Sequence, residues 1–145
     1  MSAKTALLSA VVLRAGLWDA QAAAWSRLIP HDWPGEHVQA WAEMVMRGDA
    51  HVIDAVRNGE RIGVVVYSVC RDYENPEFVI LGAYSPETHA DLTTEVLPEL
   101  SSFARAAGCA TVRFHTMRPG LLHKAIRAGF TVSEIVLRRD LSHGV

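Results

Sequence analysis

The chain has no surplus of either charge. Its 145 residues include 14 Lys and Arg against 16 Asp and Glu, a formal net charge of -2. Proteins that bind a polynucleotide or an anionic membrane through charge carry a basic surplus or a basic patch. The composition therefore predicts neither a nucleic-acid partner nor a membrane partner.

Cysteine is scarce, and the spacings typical of metal sites are missing. The two cysteines, Cys70 and Cys109, lie far apart, and the seven histidines form no H-E-x-x-H or comparable pair. These absences argue against a disulfide framework, a structural zinc site and a catalytic zinc site. We predict no metal, and a chain of this kind fits a reducing compartment, so we expect a cytoplasmic protein.

Long hydrophobic runs, repeats and low-complexity linkers are also lacking. The apolar stretch Thr5 to Leu13 ends at Arg14, well short of the ~20 residues of a membrane span, and no convincing cleavage site follows it. It predicts a first strand or a buried helical turn rather than a targeting segment. No repeat or linker divides residues 1–145, which predicts a single domain.

The pattern of apolar residues predicts two helices in the first third of the chain. Leu17 to Leu28 and Glu36 to Arg47 have helical spacing, and two prolines lie in the loop between them. All four tryptophans fall in this third. We expect them to pack a core, except Trp33 in the loop, which is a candidate for lining a substrate site.

A β-meander follows the two helices. Asn58-Gly59 separates His51 to Val56 from Arg61 to Cys70, and Asn-Gly between two β-branched runs is a strong hairpin signal. Phe78 to Tyr84 predicts the third antiparallel strand.

The second half alternates helices and strands. Asp91 is a candidate N-cap of the first of these helices and Gly108 its stop. Strands alternating with helices require a crossover, which predicts a mixed α/β (α+β) fold: a mostly antiparallel central sheet, an N-terminal helix pair, one crossover helix and a further C-terminal helix. The predicted elements are a helix at Leu92 to Ala107, a strand at Ala110 to His115, a helix at Pro119 to Ala128 and a last strand at Val132 to Leu141.

This order of elements, with Arg127-Ala128-Gly129-Phe130 before the last strand, resembles the GNAT superfamily of acyl-CoA-dependent acyltransferases. The resemblance covers roughly residues 36 to 141. It implies an N-acyltransferase that moves an acetyl group from acetyl-CoA to an amine of a small molecule or a protein. In such a fold the strand Phe78 to Tyr84 splays from Ala110 to His115, leaving main-chain groups for the pantetheine arm. The N-terminus of the next helix can then hold the pyrophosphate.

If acyl transfer occurs, the chain offers a set of candidate site residues. Tyr84, His115 and His123 are the candidates for proton transfer, and Tyr67 joins Trp33 as a candidate substrate contact. Each histidine also has a structural interpretation, since His115 can cap local backbone and His123 can lie on a solvated helix face. The cofactor surface implied is Leu81, Gly82, Ala83, Tyr84, Thr88, His89, Ala90, Asp91, Leu92 and Thr93.

Two positions depart from the family pattern. The segment Ser85 to Asp91 contains no glycine and two carboxylates where the pyrophosphate would bind, and Ala125 stands where many relatives carry a proton-donating tyrosine. The alternative is therefore a GNAT-like module that has lost catalysis and serves as a binding or assembly subunit. A homodimer or a protein partner stays open, because exposed sheet edges can pair across an interface.

Overall fold

The computed structural model describes residues 10–30, 35–72, 74–86, 92–116 and 118–142. A five-stranded sheet with helices forms the predicted mixed α/β fold, which is thereby confirmed. No helix within these ranges is long and apolar enough to cross a membrane. The elements are β1 (Val12–Gly16), α1 (Ala20–Arg27), α2 (Glu36–Arg47), β2 (His51–Arg57), β3 (Glu60–Cys70), β4 (Glu77–Tyr84), α3 (Leu92–Ala106), β5 (Thr111–Phe114) and α4 (Pro119–Arg127).

The strands lie in the sheet in their order along the chain. Neighbours from β1 to β4 are antiparallel, and β5 is parallel to β4 because α3 carries the chain back across the sheet. The turn between β2 and β3 has φ of 52° at Asn58 and 76° at Gly59, values that favour these two residue types. The predicted hairpin is confirmed. Of the predicted N-terminal element, the structure describes β1 from Val12, and residues 1–9 lie outside the described ranges.

The first helix starts at Ala20 rather than at Leu17 because Asp19 is its N-cap. The Asp19 carboxylate accepts hydrogen bonds from the backbone N–H of Ala22 at 2.8 Å and from the guanidinium of Arg61 at 2.7 Å. These two donors, the backbone N–H first, hold the pKa of Asp19 below its ordinary value of 3.8. The contact with Arg61 also joins the start of α1 to β3.

Both faces of the sheet are covered. On one face α3 covers a cluster that includes Ile53, Val65 and Phe78. On the other, α1 and α2 cover Val64 and Val66, together with Trp18, Trp25 and Trp41. The expectation that these tryptophans pack the core is confirmed. Buried apolar area on both faces is what stabilises the central strands.

The last predicted strand is wrong. Residues 131–141 form no strand, and every one of them is exposed. Their alternating, β-branched sequence suits a strand, but a strand also needs a neighbouring backbone to satisfy its N–H and C=O groups. The structure supplies no such ladder for this segment, so the pattern alone does not produce the element.

Candidate functional site

Strands β4 and β5 separate partway along β4. They pair in parallel from Glu77 opposite Thr111 to Ile80 opposite Phe114, and β5 ends there while β4 continues to Tyr84. Residues 81–84 therefore have no partner on β5. Backbone N–H and C=O groups on that side of β4 can bond to an extended ligand that carries amides of its own.

A β-bulge lies where β4 leaves β5. On the β3 side, Gly82 pairs with Val66 and Ile80 pairs with Tyr67, so Leu81 is an extra residue in β4. Such a bulge bends the strand and redirects its backbone groups. At Gly82 a Cβ atom would come within 2.6 Å of Cη2 of Trp41, so the approach of α2 to this strand requires glycine there.

His115 lies at the mouth of this opening. His115 directly follows Phe114, the last residue of β5. Leu81 directly follows Ile80, the β4 residue that pairs with Phe114. The Nε2 atom of His115 is 3.4 Å from Oε1 of Glu134, the oxygen that also lies 3.4 Å from Nη1 of Arg113. About half of the Glu134 side chain is exposed, at 50%, so solvent and substrates can reach this pair. A carboxylate beside an imidazole orients the ring.

Sequence reasoning missed Glu134. It stands 19 residues after His115, in a segment expected to be a strand, so no local pattern joins the two side chains. Only the path of the chain after α4 brings them together.

The other two candidate catalytic residues lie elsewhere. Tyr84 packs against the cluster of Ala22, Val52 and Val64 on the face covered by α1 and α2. His123 is exposed on α4. Within the described ranges, no hydrogen bond joins Tyr84, His115 and His123 to one another, so the structure does not assemble them into one hydrogen-bonded group.

Tyr67 is a core residue. It is 9% exposed, stacks on Phe78 with ring centroids 4.2 Å apart and meets the edge of Phe103 at 5.9 Å. Burial raises the pKa of its hydroxyl above the ordinary value of 10.0. Since packing occupies its ring, we take Tyr67 out of the candidate site. Five other predicted site residues lie outside the described ranges: Trp33, Thr88, His89, Ala90 and Asp91.

The acidic side chain in the first turn of α3 is paired. Leu92 and Thr93 are half-buried at the start of this helix. Glu95 in the same turn binds Nη2 of Arg57 at 2.7 Å, and Arg57 is only 8% exposed. The buried guanidinium offsets one negative charge near the helix N-terminus, whose dipole favours anions.

An open cavity of about 510 Å³ lies at the opposite end of the sheet. It is lined by the end of α2, the start of β2 and the end of β3, and it includes His51 and Cys70. Cys70 pairs with Glu77 at the start of β4, far along the strand from Leu81. None of the predicted site residues lines it. In the part of the chain that the structure describes, no group of three or more His, Cys, Asp or Glu could hold a metal ion.

No family model and no curated protein matches the chain. Solved structures do match it. An acetyltransferase from Trypanosoma brucei superposes with a TM-score of 0.63 and 18% identity over 90% of this chain and 99% of that chain. An aminoglycoside 6'-N-acetyltransferase from Acinetobacter haemolyticus gives 0.62 and 15% over 89% and 97%. A predicted acetyltransferase with acetyl-CoA from Clostridium acetobutylicum gives 0.64 and 12% over 92% and 97%. At these identities the likeness shows the fold.

Proposed function

We propose that this chain, which has the fold of the GNAT acetyltransferases, is an N-acetyltransferase that moves an acetyl group from acetyl-CoA to an amine of a small molecule or a protein. The fold supports an acetyltransferase in general, and one solved neighbour contains acetyl-CoA. The observation that carries the proposal is the half of β4 that β5 does not pair, residues 81–84, which opens beside His115. The amine acceptor and the use of acetyl-CoA are the parts to be tested.

The residues around this opening fit acetyl-CoA. A pantetheine arm carries two amides, and the backbone of Leu81, Gly82 and Ala83 offers groups that β5 does not use. The start of α3, with Glu95 already paired to Arg57, would face the pyrophosphate. When bound, acetyl-CoA supplies an activated thioester for acyl transfer.

His115 is the proposed general base. As the amine nitrogen forms its bond to the acetyl carbon and the carbon–sulfur bond breaks, His115 accepts the proton that the amine loses. Glu134, 3.4 Å away, stabilises the imidazolium that results. His115 then releases this proton to water, while the departing thiolate takes its proton from a second group that water reprotonates, so charge balances. The bulged backbone at Leu81 would donate an N–H to the carbonyl oxygen as negative charge develops there.

His123 is the proposed second proton-transfer group. It stands two residues before Ala125, which occupies the position where the family resemblance implies a tyrosine. An exposed imidazole on α4 could protonate the departing thiolate in place of that hydroxyl. Tyr84 is proposed as a backbone contact to the cofactor, because its ring packs on the core.

The first experiment measures binding and turnover separately. We expect acetyl-CoA to raise the Tm of the full chain, with a stabilisation of about 2.7 kcal/mol at a hundredfold excess over Kd. Thiol release should then be measured with a panel of amines. His115→Gln should lower the rate about 10²- to 10⁴-fold without changing the Tm shift, since general bases contribute rates of that order. His51→Gln, on β2 two strands away from β4, is the matched control and should change neither.

An unchanged Tm and no binding heat with acetyl-CoA, in a protein that unfolds cooperatively, would overturn the proposal. The same result would support the second candidate function, a module that binds or assembles without catalysis. The buried position of Ala125, 3% exposed, favours that candidate, because the side chain there contributes packing and no hydroxyl. If acetyl-CoA binds but none of the amines in the panel, large or small, causes release of its thiol, the result would also favour the module without catalysis.

A further inference from the structure

One guanidinium is buried beside the first turn of α3. Arg57, the last residue of β2, is 8% exposed and is the only arginine among the buried polar residues of the described ranges. A charge that leaves water loses hydration energy, which only close partners offset. One partner of Arg57 is Glu95, whose Oε2 lies 2.7 Å from Nη2 of the guanidinium. The contact joins residues that stand 38 positions apart, so it depends on the fold and not on a local pattern.

Glu95 is also attracted by the helix that carries it. It stands in the first turn of α3, and its side chain is 40% exposed. The N–H groups of a first turn and the positive end of the helix dipole attract carboxylates. Without Arg57, the Glu95 carboxylate would therefore be drawn toward the helix N-terminus, where it would compete with any other anion.

The burial of Arg57 is not explained by stability alone. An apolar side chain of similar size can often replace one member or both members of a buried ion pair at little cost, provided that no charge is left buried without a partner. Glu95 reaches solvent, so it would not be left buried. The preceding residues of β2, from Val52 to Val56, are apolar except for Asp54, so an apolar residue at position 57 would suit its surroundings. An arginine there points to a role that depends on its charge.

We propose that Arg57 sets the affinity of the α3 N-terminus for the pyrophosphate of acetyl-CoA by holding the Glu95 carboxylate away from it, an inference that rests on the proposed function. Arg57 acts through Glu95 and is therefore a positioning residue. Its positive charge also cancels the negative charge of Glu95, so the pair as a whole does not repel phosphate groups. The affinity then depends on the sum of the two charges and not on either side chain alone.

Three variants of the full chain test this sum, with the Kd for CoA measured by titration calorimetry. Arg57→Met leaves Glu95 uncompensated and should raise the Kd about five- to tenfold. Glu95→Gln leaves the guanidinium uncompensated and should lower the Kd about twofold or more. The double variant restores a neutral sum and should bind CoA within about twofold of the parent chain, because the two substitutions are coupled.

Two controls separate a local charge effect from other causes. Arg47→Met changes the net charge of the chain by the same amount, but Arg47 pairs with Asp49 at the end of α2, so the Kd for CoA should stay at the parent value. Raising the salt concentration from about 0.05 M to about 0.5 M should shrink the differences between the Arg57 and Glu95 variants, because salt screens charges. A role in packing alone would give differences that salt does not change.

The outcomes distinguish this inference from the proposed function. If the parent chain does not bind CoA, both fail. If the parent chain binds CoA but Glu95→Gln weakens binding, or the double variant binds no better than Arg57→Met, the inference is overturned and the proposed function stands. An equal rise in Kd for Arg47→Met would overturn it too. Urea unfolding checks that each variant is folded, and the half-exposed Glu95→Gln tests the sign of the effect even if Arg57→Met does not fold.

Discussion

The β2–β3 hairpin and the C-terminal region are built from similar residues, but only the hairpin forms buried strands. Both contain runs of valine and isoleucine. In the hairpin a two-residue turn brings the partner strand within reach, and from Val52 to Arg57 every residue of β2 is buried. After α4 no nearby turn offers a partner, and residues 131–141 stay exposed. The comparison teaches that a strand sequence becomes a strand only where a second backbone is close, by turn or by crossover.

The largest expected effect lies in the well-packed region. Phe78 is fully buried between Tyr67 and the α3 side chains. Phe78→Ala should lower the free energy of unfolding by about 3–5 kcal/mol, because it removes a ring and leaves a cavity. Urea unfolding measures the change. Phe130→Ala, in the C-terminal region, should cost less than half as much, and equal losses would contradict the contrast between the two regions.

A pair of glycines gives the next largest effect. Gly82→Ala should destabilise the chain by about 1–3 kcal/mol, because the added methyl meets Trp41. Gly120→Ala on α4 meets nothing within 4 Å, and alanine should stabilise the helix there by up to about 1 kcal/mol. Thermal unfolding compares the two substitutions. Equal changes in stability at both positions would mean that Trp41 of α2 does not pack closely against β4 at Gly82.

The ionised Asp19 should give a smaller, pH-dependent effect. Its pKa is lowered in the folded protein by the Ala22 N–H and by Arg61, so its charge stabilises the fold above about pH 3.8 and that contribution is lost as the pH falls below 3.8. Because the side chain is 51% exposed, Asp19→Asn should cost under about 1 kcal/mol at pH 7. Urea unfolding between pH 7 and pH 3 should show the gap between the two proteins closing at low pH. A gap that widens there would be inconsistent with the cap.

The smallest effect is expected in the C-terminal segment. Leu137 is 90% exposed, and Leu137→Ser should change the stability of the monomer by no more than about 0.5 kcal/mol. The measurement uses dilutions at which unfolding no longer depends on concentration. A loss of 2 kcal/mol or more there would show that the segment packs within one chain.

The fold was largely predictable from local patterns. The Asn58-Gly59 turn, the apolar stripe of α3 and the Gly108 stop each act within a few residues, so their signals are present in the sequence. The resemblance to the GNAT fold located the opening between β4 and β5. The start of α1 was not predicted correctly, although its N-cap, Asp19, is a local signal. The last strand was wrong because a strand needs a partner backbone, which the structure does not supply to residues 131–141.

The candidate site was predictable only in part. His115 and the backbone of Leu81 to Ala83 follow from the strand positions. Glu134 does not, and Tyr67, expected to face a substrate, packs in the core because its strand turns that side toward α3. Which side chains of a strand can contact a substrate depends on which face of the sheet the helices cover.

The sequence by itself determined the elements that close locally: the hairpin, the helices with their stops and the order of strands. Only the tertiary structure decided which faces are buried and which carboxylate meets His115. The physical reason is distance along the chain. Turns and caps depend on neighbouring residues, whereas burial, ion pairs and sheet edges depend on segments that folding alone brings together.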